Sequence, residues 1–498
     1  MAPPFTTTAS PTPVPSSELV KPPPLPFLQD AEKHGDPDLA QFPPEFMHGF
    51  AGEALQVEGA VKNEGRGPSL TEYSLKSRYG SVDGGGPPDL ANLNYYLYKQ
   101  DIARLAAAGV QSYSFSISWS RILPFGVAGS PINQEGLDHY DDLINTVLEY
   151  GMNPVATLHH FDAPLYFNSN SSWQGWDHPE FVDSFVNYAK IALTHYGDRV
   201  GTWFTFNEPT TDGDLARNWL SSYNIIMAHA KVVHWYREDL KGTGKWSMKF
   251  HLSTGFALPL DPSSASDVEA ANRRNQFHVG YMANPLFLGS PVPADMVDTI
   301  GSGVVQWTPE DLDYVNGTCD FFAFDIYTVT YHTPSDGGID ACAKDKKHPD
   351  WPYCTQALNS RAGWDGSFHG NDKMAIPYED VRTVLGYFHT TYPSPEGIVI
   401  SEVGLPTYKA TQMTVPQLRS DIAQSELYVS LLREVLRSIN EDGVTVKGVF
   451  GWSFVDNWEW GSYDPHYGVQ GFNTTTYERY YKRGLFDFVD FIASHGGK

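Results

Sequence analysis

From residue 45 onward the chain alternates between short apolar runs and stretches whose apolar side chains recur at helical spacing. The runs at 46–53, 111–119, 154–158, 200–206, 247–253, 321–326, 397–401 and 448–454 have the length of strands. The run at 111–119 alternates strictly, Tyr113, Phe115, Ile117 and Trp119 against Ser112, Ser114, Ser116 and Ser118. Helices are predicted over 91–108, where Tyr95, Tyr98, Ile102, Leu105 and Ala106 share one face before Gly109, and over 137–150 before Gly151. Others are expected from Pro179, at a first-turn position, to about residue 196, near 266–286, near 378–392, and as one long helix at 415–439. Strands alternating with helices imply parallel strands joined by crossovers, and eight such units imply a closed (β/α)8 TIM barrel. An open doubly wound sheet is the alternative, disfavoured because no Gly-rich phosphate loop follows the first strand. Residues 28–498 are expected to form this one domain. Residues 1–27, rich in Pro, Ser and Thr, read either as a poorly ordered arm or as a strap on the barrel surface.

In such a barrel the chemistry sits at the C-terminal ends of the strands. Those ends carry Gln56, then His160, then Asn207 with Glu208, Asp325 with Tyr327, Glu402, and finally Trp452 with Glu459. Glu208 stands out: an acid that closes a buried apolar strand and precedes a proline is poorly placed for stability. Two separated glutamates among hydrogen-bonding groups and tryptophans suit glycoside cleavage, where one carboxyl protonates the leaving oxygen and the other acts at the anomeric carbon.

Composition narrows the reading. Aromatics make up 14% of the 498 residues, enough to suggest sugar-stacking faces, although a large core also uses them. The formal charge of −25 and the absence of Lys/Arg clusters argue against nucleic acid or an anionic membrane surface as partner. No apolar run is long enough to span a bilayer. Of three cysteines, Cys342 and Cys354 lie close enough to pair, which leaves Cys319. The spacing does not suit zinc, and the adjacent His159 and His160 point to opposite faces of a strand, so no metal is expected. Asn-x-Ser/Thr triplets at Asn170, Asn316 and Asn473 tilt the expected compartment toward secretion, whereas the first residues lack the apolar core of a signal peptide. Oligomeric state is not legible.

Several motifs, in order, resemble glycoside hydrolase family 1, the β-glucosidase family, in the manner of a fungal member. Residues 46–60 contain Gln56-Val57-Glu58-Gly59; 114–122 read SFSISWSRI; 158–164 read LHHFDAP; 205–209 read TFNEP; 400–404 read ISEVG; and 451–460 read GWSFVDNWEW. The resemblance implies a retaining β-glycosidase that needs no cofactor, with Glu208 as general acid/base and Glu402 as nucleophile about 5–5.5 Å apart. It implies a Glu208 pKa raised by the ionised Glu402 nearby. It also implies sugar contacts from Gln56, His160, Asn207, Trp452, Glu459 and Trp460, and a hydrogen bond from Tyr327 to the nucleophile. Glu459 argues for an unphosphorylated sugar, and Glu208 separates the chain from thioglucoside-cleaving relatives, which carry glutamine there. The expected substrates are cellobiose and small aryl or alkyl β-glucosides. A transglycosylating enzyme or a non-catalytic sugar binder on the same fold are the alternatives.

Four positions depart from the family pattern. Ser114 replaces an arginine, Asp325 an asparagine, Val403 the asparagine after the nucleophile, and Phe161 a tryptophan. The first two remove a positive charge beside Glu402 and add a carboxyl. Either Asp325 is protonated or another cation compensates. At 373–377 the chain reads KMAIP where the family places a tryptophan on the aglycone side.

Overall fold

The computed structural model describes residues 5–26, 40–78, 80–81, 84–168, 175–209, 215–252, 255–301, 304, 306–358, 369–370, 373–374, 380–407 and 410–496. Eight strands form its centre: β1 (Met47–Gly52), β2 (Ser112–Ser116), β3 (Asn153–His159), β4 (Thr202–Asn207), β5 (Lys245–Leu252), β6 (Phe322–Ile326), β7 (Ile398–Val403) and β8 (Val446–Trp452). Each pairs in parallel with its neighbours in sequence, and β1 pairs with β8, so the sheet closes. The chain is a (β/α)8 barrel. Closure removes both sheet edges and turns one face of every strand inward.

Val155, Phe204, Ala323, Val399 and Phe450, with Met47 and Phe321, fill the barrel axis as a separate apolar cluster. The much larger cluster lies between the sheet and the helices and runs around the barrel. The interior is therefore plugged below the strand ends, and polar groups above the plug face a shallow mouth.

Several boundaries differ from those expected. β2 ends at Ser116, and Trp119 opens a short helical turn, Trp119–Ile122, with its ring buried against Tyr188. Pro179 lies before the helix Phe181–Tyr196, not in its first turn. The long helix expected at 415–439 is two, Val415–Arg419 and Ile422–Asn440. Asp421 breaks it, its carboxylate accepting from the Gln424 amide to cap the second. The helical stretch near 266–286 runs from Ala265 through wide turns to Leu288. The start of the helix expected at 378–392, and positions 375–377, lie outside the described residues. Helix Leu215–Glu238, between β4 and β5, and Arg483–Ser494 were not anticipated.

Residues 9–23 lie on the barrel: the Ala9 amide donates to the Tyr96 carbonyl, Arg104 pairs with Glu18 at 2.9 Å, and Arg483 donates to the Pro23 carbonyl. Beyond β5 and β6 a small sheet of Phe256–Pro259, Val329–Pro334 and Thr355–Leu358 rises as an excursion. A disulfide, Cys342–Cys354, closes the loop within it. Asn316 and Asn473 are exposed, and Asn170 lies outside the described residues. No helix among the described residues is long and apolar enough to cross a membrane.

Candidate active site

The mouth of the barrel holds a pocket of about 350 Å³ lined by Gln56, His160, Phe161, Glu208, Tyr327, Glu402, Trp452, Glu459, Trp460 and Tyr467. Eight of the nine residues expected to form the site line it. The ninth, Asn207, is buried beside Glu208 at the end of β4, and neither of its amide atoms has a hydrogen-bond partner among the described residues.

The local sequence explains how each group arrives. After β1, the Glu53 carboxylate accepts from the Leu55 and Gln56 amides, both at 2.9 Å, and so starts the single helical turn Ala54–Val57. That turn sends Gln56 into the pocket. Glu58, one residue past it, is used elsewhere: it pairs with the buried Arg121 at 2.8 Å and accepts from Tyr140 at 2.7 Å. The Gln56 amide donates to Glu459 Oε2 at 3.0 Å, and the Trp452 indole donates to Glu459 Oε1 at 2.8 Å. The loops after β1 and β8 are thus cross-linked through one carboxylate. Phe161 packs against Trp460, ring centroids 4.8 Å apart.

Glu208 ends β4 in the left-handed region, φ +40°, with its amide donating to the Lys249 carbonyl at 2.9 Å. Its Oε2 lies 3.1 Å from His251 Nδ1. A non-glycine residue at positive φ carries backbone strain, which concentrates at functional positions.

Glu402, within β7, is 3% exposed. Lys249 Nζ donates to its Oε1 at 2.9 Å, the Tyr327 hydroxyl donates to its Oε2 at 3.0 Å, and His160 Nε2 lies 3.9 Å from Oε1. Burial raises the Glu402 pKa; Lys249 opposes that rise, Glu208 adds to it, and the two hydrogen bonds oppose it again. Asp325 is wholly buried, and burial, reinforced by Glu402, drives its pKa well up. Burial, then Lys249, drives the His160 pKa well down, so the ring is neutral at ordinary pH. Tyr327, its pKa raised by burial and then by Glu402, keeps its proton and can only donate to that carboxylate. Among the described residues no cluster of three His, Cys, Asp or Glu is arranged to hold a metal ion.

A model of the family described as glycosyl hydrolase family 1 matches residues 39–497. The chain belongs to this family. It is 31% identical to beta-glucosidase 1B of Phanerodontia chrysosporium over 89% of this chain and 84% of the relative. It is 30% identical to raucaffricine-O-beta-D-glucosidase of Rauvolfia serpentina, over 86% and 87% of the two chains. The solved structure of beta-glucosidase 2 from Trichoderma reesei, in complex with Tris, aligns with a TM-score of 0.82 at 29% identity, covering 91% of this chain and 99% of that one. The chain is a glycoside hydrolase.

Sequence reasoning missed three groups at the site of this family member. Tyr467, beyond β8, gave no signal. Lys249 and His251 did: β5 reads Ser247, Met248, Lys249, Phe250, His251, Leu252, with polar and apolar positions alternating as in a strand with one polar face.

Proposed function

We propose that this glycoside hydrolase is a retaining β-glucosidase that releases terminal β-D-glucosyl residues from unphosphorylated glucosides such as cellobiose and small aryl or alkyl glucosides. The observation that carries the reading is the pairing of two buried carboxyl groups, Glu208 and Glu402, in one pocket, with a lysine ammonium and a tyrosine hydroxyl both donating to Glu402. Such surroundings favour an ionised nucleophile facing a separate acid.

Glu402 attacks the anomeric carbon while Glu208 gives its proton to the leaving oxygen. The glycosyl-enzyme is then released by water that Glu208, now a carboxylate, deprotonates. Asn207, whose buried amide atoms have no partner among the described residues, is suited to the sugar 2-hydroxyl. Glu459, fixed by Gln56 and Trp452, presents a carboxylate to hydroxyls at the far side of the ring and would repel a phosphate. The Trp452 and Trp460 rings and neutral His160 complete the contact with the sugar.

A panel of nitrophenyl glycosides tests this. The expected result is turnover of the β-glucoside, its loss in Glu402→Gly, and acceleration of Glu208→Ala by azide, which replaces the missing base. Saturable sugar binding without turnover in the wild-type protein, or wild-type turnover in Glu402→Gly, would overturn the assignment.

A further inference from the structure

The exchange of the family's arginine and asparagine for Ser114 and Asp325 leaves three carboxyl groups, Glu208, Asp325 and Glu402, in one buried site. The second strand then supplies no cation. The fifth strand carries one. Lys249 is 1% exposed, and its ammonium group lies 2.9 Å from Glu402 Oε1 and 5.3 Å from the centroid of the Phe204 ring below. We propose that Lys249 is the positioning residue that keeps Glu402 ionised and aligned, the positive charge of the site having moved from β2 to β5. The inference deepens the proposed function and rests on it for the role of Glu402.

The placement follows from register. Lys249 pairs with Ala323 of β6 and with Asn207 of β4, so its backbone lies about one strand step below the reacting groups and its stem rises along the barrel wall. An ammonium on a four-carbon stem suits this approach from below, whereas a β2 side chain would approach from the opposite wall. The same residue touches both glutamates. Its carbonyl accepts the Glu208 amide at 2.9 Å, and its ammonium holds the Glu402 carboxylate. One side chain and its own backbone therefore tie together the two groups whose separation sets the mechanism.

Titratable groups face Glu402 from β3, β4, β5 and β6, and β8, its other neighbour in the sheet, adds Trp452 to the same pocket. His160 stands on the β3 side, Glu208 on β4, Lys249 on β5, and Asp325 with Tyr327 on β6. Asp325 Oδ1 accepts from the Ser401 hydroxyl at 2.6 Å, and its Oδ2 has no partner among the described residues. A buried carboxyl so poorly supplied with donors keeps its proton, which leaves Lys249 and Glu402 as a matched pair. Burial works to lower the Lys249 pKa, but the Glu402 carboxylate 2.9 Å away works against it and the pKa is raised.

The test uses Lys249→Met, Lys249→Arg and the relocated set Ser114→Arg/Lys249→Met/Asp325→Asn in the full chain. Two readouts are needed. One is kcat/KM against pH on nitrophenyl β-glucoside. The other is the titration of the Glu402 carboxyl band in infrared difference spectra against Glu402→Gln, which does not depend on turnover. Lys249→Met is expected to move both the Glu402 titration and the acidic limb upward and to cost about 100-fold or more in kcat/KM at neutral pH. Lys249→Arg should recover part of that loss, and the relocated set should bring the titration back down. If Lys249→Met keeps the wild-type circular dichroism and leaves the Glu402 titration in place, the proposal falls. If Lys249→Met does not fold, the relocated set decides: a Glu402 titration that stays as in the wild type supports the charge transfer, and one that rises refutes it. A titration that moves in a protein that cleaves no glycoside would sink the proposed function and leave the Lys249 assignment standing.

Discussion

Removing the Tyr327 hydroxyl tests the electrostatics of the site at a single atom. Tyr327→Phe keeps the ring that packs with Ala51, Trp452 and Tyr467 and deletes only the donor 3.0 Å from Glu402 Oε2. A hydrogen bond to a charged group contributes about 1.5–3 kcal/mol. Because that bond favours the carboxylate, losing it raises the Glu402 pKa above a position that burial has already raised. In the proposed mechanism Glu402 acts as an anion, so activity falls as pH drops through its pKa, and the acidic limb of the variant lies above that of the wild type. Well below both limbs the loss in kcat/KM equals the lost ionisation energy, roughly 10- to 150-fold at about 1.36 kcal/mol per tenfold. Above both limbs Glu402 is ionised in either protein, and the ratio shrinks. The assay is kcat/KM on a nitrophenyl glucoside from acidic to neutral pH. A wild-type-to-variant ratio that does not change with pH would refute the argument, because it would mean that the hydroxyl does not act through Glu402 ionisation.

Other outcomes follow from the surroundings. Glu58→Gln leaves the Arg121 guanidinium buried without its anion, so a loss of about 3–5 kcal/mol in stability is expected, read as a lower denaturant midpoint at unchanged slope. A midpoint within error of the wild type would show that the pair carries no such weight. The native protein should take up no iodoacetamide: Cys342 and Cys354 are joined, and Cys319 is buried, its thiol pushed up to about 12. An adduct found by mass in the unreduced native protein would place Cys319 within reach of solvent.

The barrel was legible because eight apolar runs alternate with helical stretches, and the site because polar residues follow those runs. What escaped did so for physical reasons. Helix Leu215–Glu238 mixes the polar Ser221, Ser222 and His229 into its buried side and carries Met227 and Trp235, partly buried, outside it, so no clean apolar stripe marks it. Gln56 and Glu58 stand two apart in one motif, and only the turn capped by Glu53 decides that the first faces the pocket and the second Arg121. The positive φ of Glu208, whose amide donates to the Lys249 carbonyl, leaves no mark in composition. Lys249 itself was visible as a lysine on the polar face of an otherwise apolar strand. The missing arginine on β2 was also visible. What the sequence could not supply was that one lies across the barrel from the other.

That geometry divides the pocket into two halves with different supports. His160, Glu208, Tyr327 and Glu402 stand at or just beyond the ends of β3, β4, β6 and β7, and Lys249 within β5, on the closed sheet, where a shift of one group must move a strand. Gln56, Glu459 and Trp460 stand on the connections after β1 and β8, and what holds them is mutual: Gln56 and Trp452 both bond to Glu459, and Phe161 packs on Trp460. The half to which the proposed mechanism assigns bond cleavage thus sits on the rigid frame, as groups that must hold a productive geometry require. The half proposed to meet the sugar hydroxyls sits on loops, the part of a barrel in which substrate preference changes without disturbing the sheet. Moving the positive charge from β2 to β5 keeps it on the frame, so the exchange alters which strand carries the cation while leaving both carboxyl groups under the control of the sheet.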